Sequence, residues 1–201
     1  MKEAIDGIKK FTELLPNNSN VLDIGCGDMW YTKYMTDKLL IVDTCDLFGN
    51  VTYLGDYNSL HIDKEYDGVW AANILEHQLN INNYLRKLKL NIKDNGVLCV
   101  SVPPLKHTID SGHVSLWNAG LLLYNLVLAG ISCHNAKIKK YGYQISIIIP
   151  KVKKFDIDSV SLTYNVGDLK TLTQYFPAGV IQQTIRSAGK FAGDIKEYNW
   201  K

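Results

Sequence analysis

Ten residues, VLDIGCGDMW from Val21 to Trp30, place one aspartate and two glycines at a spacing that suits ligand chemistry. Gly25 and Gly27 permit tight backbone geometry, so a ligand can lie against the main chain there. Phosphate and dinucleotide sites use glycines in this way. A dinucleotide turn would carry G-x-G-x-x-G, but Trp30 fills the last position. A P-loop would carry Lys followed by Ser or Thr after the second glycine, and neither is present. Asp23 follows an apolar run, where a carboxylate without a partner is costly. It sits poorly beside a pyrophosphate and suits a cationic ligand. A turn-forming aspartate is the plainer reading of Asp23, and the ligand role is favoured over it.

Such a turn needs a strand before it and a helix after it. Val21 to Ile24 reads as the strand and MWYTKYMTDK as the helix. Upstream, Ile5, Ile8, Phe11 and Leu15 recur at helical spacing, so the chain opens with an amphipathic helix. Downstream, LLIVDTCD reads as a second strand and VTYLGD as a shorter third. DGVWAANI is continuously apolar, as expected of a parallel strand covered on both faces. A helix follows with Leu79, Tyr84, Leu85 and Leu88 on one face, stopped by Asn95-Gly96. VLCVSVPP is the next buried strand, ended by prolines. After a polar loop from Leu105 to Ser115 comes an apolar helix within LWNAGLLLYNLVLAG, with Gly130 as its C-cap. ISCHNAKIKKYGYQISIII then gives two strands with Tyr141-Gly142 near their junction, an antiparallel hairpin at the sheet edge. Strands alternating with helices argue for an α/β fold, a Rossmann-like doubly wound sheet of seven mostly parallel strands ending in that hairpin. Residues 1–150 form this domain. Residues 151–201 form a C-terminal extension that packs on the same domain or at an interface, with helices expected near Asp168 to Tyr175 and Val180 to Ala188.

A chain of 201 residues fits one domain, and 46% apolar with 21% charged residues is ordinary for a globular protein. A formal charge of +2 gives no general drive toward nucleic acid or an anionic membrane, and neither is expected as a partner. The basic run PKVKK, Pro150 to Lys154, reads as a solvated linker before a binding patch. Cys26, Cys45, Cys99 and Cys133 are scattered without a C-x-x-C pair, so neither a zinc site nor a disulfide framework is indicated. No metal is expected, and a reducing cytoplasm is the default location. The most apolar stretch falls short of the ~20 residues of a membrane span and is interrupted by Asn118 and Asn125.

Asp23-Ile24-Gly25-Cys26-Gly27-Asp28-Met29 resembles the first motif of the class I S-adenosylmethionine-dependent methyltransferases, small type 11-like domains included. Met29 stands where that motif has its third glycine. The resemblance runs from about Val21 to Pro150 and implies the doubly wound fold, S-adenosylmethionine as cofactor and methyl transfer as the activity. It implies that Asp23 and the backbone of Gly25, Cys26 and Gly27 face the methionine part of the cofactor. It also implies a carboxylate ending the second strand that accepts from the ribose hydroxyls: Asp43, with Asp46 as the second choice. After the third strand, LGDYNSL supplies Asp56 near the adenine and Tyr57 as a packing surface. YDGVWAANILEH resembles the fourth strand and its exit, with Asn73 and His77 bordering cofactor and substrate. Each has a plainer reading: Asp43 as a cap or surface residue, Asp56 as a turn former, Asn73 as a partner for buried backbone.

Methyl transfer to a hydroxyl requires a base to take its proton. His113, in the loop after the fifth strand and flanked by Asp110, Gly112 and Trp117, is the first candidate and His77 the second. His107 shares the loop, while His61 and His134 look peripheral. The pattern LEH, then Pro, GHV and WN resembles small methyltransferases of glycan and lipid-linked sugar biosynthesis. A small-molecule or sugar hydroxyl is therefore the expected acceptor, amine methylation stays open, and a homodimer is one expected assembly. Two other classes stay open: a methyltransferase-like binding protein without turnover, and a nucleotide-cofactor oxidoreductase.

Overall fold

The computed structural model describes residues 3–181 and 189–201. Helix α1, Ile5–Glu13, leads into β1, Asn20–Ile24, then α2, Trp30–Asp37, and β2, Ile41–Asp46. The short β3, Tyr53–Leu54, precedes β4, Tyr66–Ala72, followed by α3, Ile81–Asn91, and β5, Ile92–Val102. Helix α4, Ala119–Leu128, precedes the hairpin of β6, Lys137–Tyr141, and β7, Gln144–Ile149. The remainder carries α5, Asp168–Leu172, α6, Ala178–Ile181, and β8, Glu197–Tyr198.

These strands form one sheet in the order β3-β2-β1-β4-β5-β7-β6-β8. β1 pairs in parallel with β2 on one side and β4 on the other, so strand order reverses beside the glycine turn. That is where an open α/β sheet leaves a crevice. β7 runs antiparallel to both β5 and β6. The sheet has one strand more than expected: β8 pairs with β6, so the hairpin no longer forms the edge.

Strand alternation divides the core between the faces. Leu22, Val69, Ala71, Leu98 and Val100 pack with Tyr84, Leu85 and Leu88 of α3 and with Leu122 and Leu126 of α4. Val21, Trp70, Ala72 and Cys99, one position out of step, pack with Ile8 and Phe11 of α1 and Met35 of α2. All four cysteines are buried free thiols. Among the described residues, no helix is long and apolar enough to cross a membrane.

Two expectations need correction. Leu79 lies before α3 and is exposed, because that helix begins at Ile81 behind the side-chain cap of Asn80. Asn95-Gly96 does not stop α3, which ends at Asn91. The pair sits inside β5, where pairing to β4 jumps between Tyr66 and Gly68 and Asn95 adopts φ 63°. Asn and Gly suit a left-handed bulge residue as well as a turn, so sequence alone does not separate the two. Of the helix expected near Val180 to Ala188, the described residues Val180 and Ile181 are helical as part of α6, and residues 182–188 lie outside the described residues.

Candidate active site

The carboxyl ends of β1, β2 and β4 place the turn residues together. Gly25 and Gly27 both have positive φ, 73° and 50°. The Gly25 N–H donates to the Cys45 carbonyl at 2.8 Å, binding the turn to β2. A side-chain carbon on Gly25 would stand 3.2 Å from Ile74, whereas one on Gly27 would meet nothing within 4 Å. The turn is thus closed at Gly25 by the segment after β4 and open at Gly27. Met29, at the missing third glycine, also takes a left-handed conformation, φ 59°, as the residue that starts α2. The Cys26 thiol is buried, and burial together with nearby Asp23 and Asp46 pushes its pKa up to about 12, so it is no nucleophile at neutral pH.

Asp23 is buried, with Thr32 Oγ1 of α2 donating to its Oδ2 at 2.6 Å. Burial raises its pKa to about 7, with the Thr32 hydrogen bond opposing the shift and Asp46 adding to it. A carboxyl held there without a cation is primed to ionise beside one.

The two candidates on β2 part company. Asp43 pairs opposite Leu22 and accepts from Lys64 Nζ at 2.7 Å and Tyr66 Oη at 2.8 Å. Asp46 ends the strand and accepts the Gly27 N–H at 2.8 Å. Side chains three apart on a strand face opposite sides, so only one can serve the turn. That one is Asp46. Tyr57 is likewise placed elsewhere: it is buried, edge-on to Tyr84, with its hydroxyl donating to Asn91 Oδ1 at 2.8 Å. It offers no face to a ligand. Asp56 caps its own turn through the Asn58 N–H at 3.0 Å, and Asn58 reaches Gln78 Oε1 at 2.8 Å, tying the loops after β3 and β4 together.

Asn73, left-handed at φ 55°, follows β4 and donates to Glu3 Oε2 while accepting from Gln144 Nε2, both at 2.7 Å. Beyond it, a 3-10 turn, Leu75–His77, brings Glu76 and His77 against the loop carrying His113. The His77 and His113 rings meet edge to face at 4.9 Å. The main chain clamps this arrangement: the Val114 N–H donates to the Glu76 carbonyl at 2.9 Å. Trp117, expected beside His113, is instead a buried core residue. Glu76 was not singled out in the sequence. Its signal was its place in LEH, and only the fold shows it buried, with Oε2 lacking a hydrogen-bond partner. Burial pushes its pKa up to about 7.

A family profile described as a methyltransferase domain matches residues 1–136. The chain belongs to the class I S-adenosylmethionine-dependent methyltransferases. Its cofactor is S-adenosylmethionine. No curated protein matches the chain. Among solved structures, this methyltransferase is similar to the 1,6-didemethyltoxoflavin-N1-methyltransferase of Burkholderia thailandensis at 15% identity and TM-score 0.61, covering 74% of this chain and 76% of that one. It is similar to a TehB-like methyltransferase of Corynebacterium glutamicum at 15% identity and TM-score 0.58, covering 73% and 87%. It also resembles coclaurine N-methyltransferase at 20% identity and TM-score 0.56, covering 69% and 52%. At these identities the likeness is one of fold.

Proposed function

We propose that this methyltransferase acts on a hydroxyl of a small molecule or glycan, with His113 or His77 accepting the hydroxyl proton. The observation that carries the reading is the pair of imidazoles, edge to face at 4.9 Å, just past the carboxyl end of β4.

The residues present fit the cofactor. Open space over Gly27 gives room for close approach to the backbone. Asp23, buried and titrating near 7, is suited to the amino-acid cation. Asp46 takes the ribose-binding role first expected of Asp43, because it is the carboxylate at the turn. Leu47 and Phe48, exposed directly after it, offer the apolar surface that Tyr57 cannot. When bound, S-adenosylmethionine supplies an electrophilic methyl group on its sulfonium. The chain's own part is to position the acceptor and remove its proton.

Calorimetry with S-adenosylhomocysteine and a turnover assay over hydroxyl and amine acceptors test the two halves separately. Asp46→Ala should weaken binding at least about tenfold, the worth of a charged hydrogen bond at about 1.5–3 kcal/mol. Asp43→Ala should leave it within about twofold. His113→Ala should keep the affinity and lower turnover by about 10²-fold or more. Full turnover in both His113→Ala and His77→Ala would remove the base assignment and favour an amine acceptor, whose lone pair needs no strong base.

A further inference from the structure

We propose that Glu76, His77 and His113 form a binding site for one divalent first-row transition-metal ion beside the cofactor cleft. One donor atom from each of the three lies within 4.8 Å of the others. Two imidazoles and a carboxylate are a ligand set suited to zinc, cobalt, nickel or ferrous iron, and unsuited to the all-oxygen shells of magnesium or calcium. Tetrahedral donors at bonds of about 2.1 Å stand about 3.4 Å apart. The side chains therefore need to close in by about 1 Å, within reach of small rotations of two histidines that are not buried.

Three independent features show preparation for an ion. The first is Glu76, 1% exposed, with Oε2 left without a hydrogen-bond partner. A buried carboxylate oxygen in that state costs free energy unless something positive meets it. No lysine or arginine is paired with it among the described residues. The second is the orientation of the His77 ring. His77 Nδ1 lies 2.9 Å from the Gly112 carbonyl. A carbonyl only accepts, so Nδ1 carries the hydrogen and Nε2 keeps its lone pair. Asp110 Oδ2 stands 3.9 Å from His113 Nδ1, beyond direct hydrogen-bond reach, so the oriented ring of the pair is His77. Metal-binding histidines are oriented by oxygen partners on the second nitrogen in this manner. The third is rigidity of the scaffold: the Glu76 carbonyl accepts from both Val114 N at 2.9 Å and Ser115 N at 3.3 Å. The two segments that supply the ligands, 36 residues apart at His77 and His113, are held together by main-chain bonds before any ion arrives.

Three protein ligands leave a coordination position for water or an acceptor oxygen. The site is close to the cofactor turn, since Ile74, two residues before Glu76, covers Gly25. The inference does not rest on the base assignment, and on one ring the two roles exclude each other: an imidazole that gives its Nε2 lone pair to an ion cannot also accept the hydroxyl proton, so the base reading applies to the ion-free site.

The test uses tag-free, chelator-treated protein titrated with Zn²⁺ by calorimetry and with Co²⁺ by visible absorption. The expected result is one equivalent of each ion and cobalt ligand-field bands. His113→Ala should weaken Zn²⁺ binding at least about tenfold, and Glu76→Gln should do the same. Thermal melts of both variants confirm folding, and S-adenosylhomocysteine calorimetry on the same samples reports the cofactor site separately. Absence of saturable binding in the wild type overturns the proposal. So does stoichiometric binding that survives in folded His77→Ala and His113→Ala. Cofactor binding that fails while metal binding persists would count against the methyl-transfer reading alone.

Discussion

Asp23 is the residue where energetics and chemistry meet. Its carboxyl titrates near 7 in the folded protein against the usual 3.8, chiefly because it is buried. The folded state therefore holds this proton more tightly than the unfolded chain does. The stability it contributes is full below about pH 3.8 and is lost as pH rises through about 7. At about 1.4 kcal/mol per pH unit, the loss has an upper limit of about 4 kcal/mol. Asp23→Asn should therefore be more stable than wild type at pH 8 and lose part of the fall between pH 5 and 8. Glu76 shifts in the same direction, so some of the fall should remain. A cationic ligand reverses the balance by favouring the ionised carboxylate. Affinity for S-adenosylhomocysteine should rise up to about tenfold between pH 6 and 8 in wild type. In Asp23→Asn it should be weak and flat. Urea melts and calorimetry across this range check both; a wild-type affinity that falls with pH would refute the role. Asp23 stood out in the sequence as a carboxylate after an apolar run and before two glycines, and the structure buries it at the turn. Asp46 stood out less, because Asp43 and Asp46 differ only in parity along the strand. Parity becomes visible once Leu22 is seen opposite Asp43.

At the scale of elements, the turn into α2 shows how the fold tolerates a departure from the family pattern. Met29 holds φ 59° at the start of the helix, a conformation that costs an L-residue about 1–2 kcal/mol and glycine almost nothing. At the third-glycine position Met29 thus holds a conformation that glycine adopts freely. Its cost is carried by neighbours: the Met29 N–H donates to the Cys26 carbonyl at 2.8 Å, and Lys33 N–H donates to the Met29 carbonyl at 2.9 Å. Met29→Gly should consequently exceed Met29→Ala in stability by about 1 kcal/mol, measured by urea denaturation. An ordinary helical site gives the opposite order, with alanine ahead by a similar amount. Alanine ahead of glycine would mean that the turn relaxes out of the left-handed region. The central strands were readable as short continuous apolar runs and the main helices by apolar residues recurring about every fourth position. Tyr57 was not. Whether an aromatic beside a strand end faces a ligand or the core depends on α3, whose Tyr84 and Asn91 cover it. The cluster of Glu76, His77 and His113 was half visible for the same reason. Each histidine stood out alone, but their contact joins segments distant in sequence.

For the whole molecule, the boundary of the family profile and the boundary of the folded unit differ. The profile ends at residue 136, before the hairpin. The segment after Pro150 adds Val152, Ile157, Leu169, Leu172, Phe176, Val180 and Ile181 to the same core cluster that holds α3, α4 and one face of the sheet. It also adds β8 to the outer edge of β6, and its Gly193 carbonyl accepts the Gly120 N–H at 3.0 Å in the first turn of α4. That contact is close: a side-chain carbon on Gly120 would stand 2.7 Å from the Ala192 carbonyl. We infer that the described part of this segment, residues 151–181 and 189–201, is an integral layer of the methyltransferase domain. Each buried apolar side chain contributes roughly 1.5–3 kcal/mol, so the seven together supply on the order of 10 kcal/mol. A domain's net stability is itself only about 5–15 kcal/mol. A chain ending at Pro150 should therefore lose cooperative urea unfolding and near-ultraviolet dichroism, although it retains every residue proposed to touch the cofactor. Gly120→Ala separates docking from mass action. Helix propensity favours alanine by about 1 kcal/mol, whereas the overlap with main-chain carbonyl costs about 1–3 kcal/mol, so the variant should be destabilised. It should also speed proteolysis within the last residues of the chain. If the chain ending at Pro150 kept the wild-type midpoint, the extension would be a separate layer and the core would close without it.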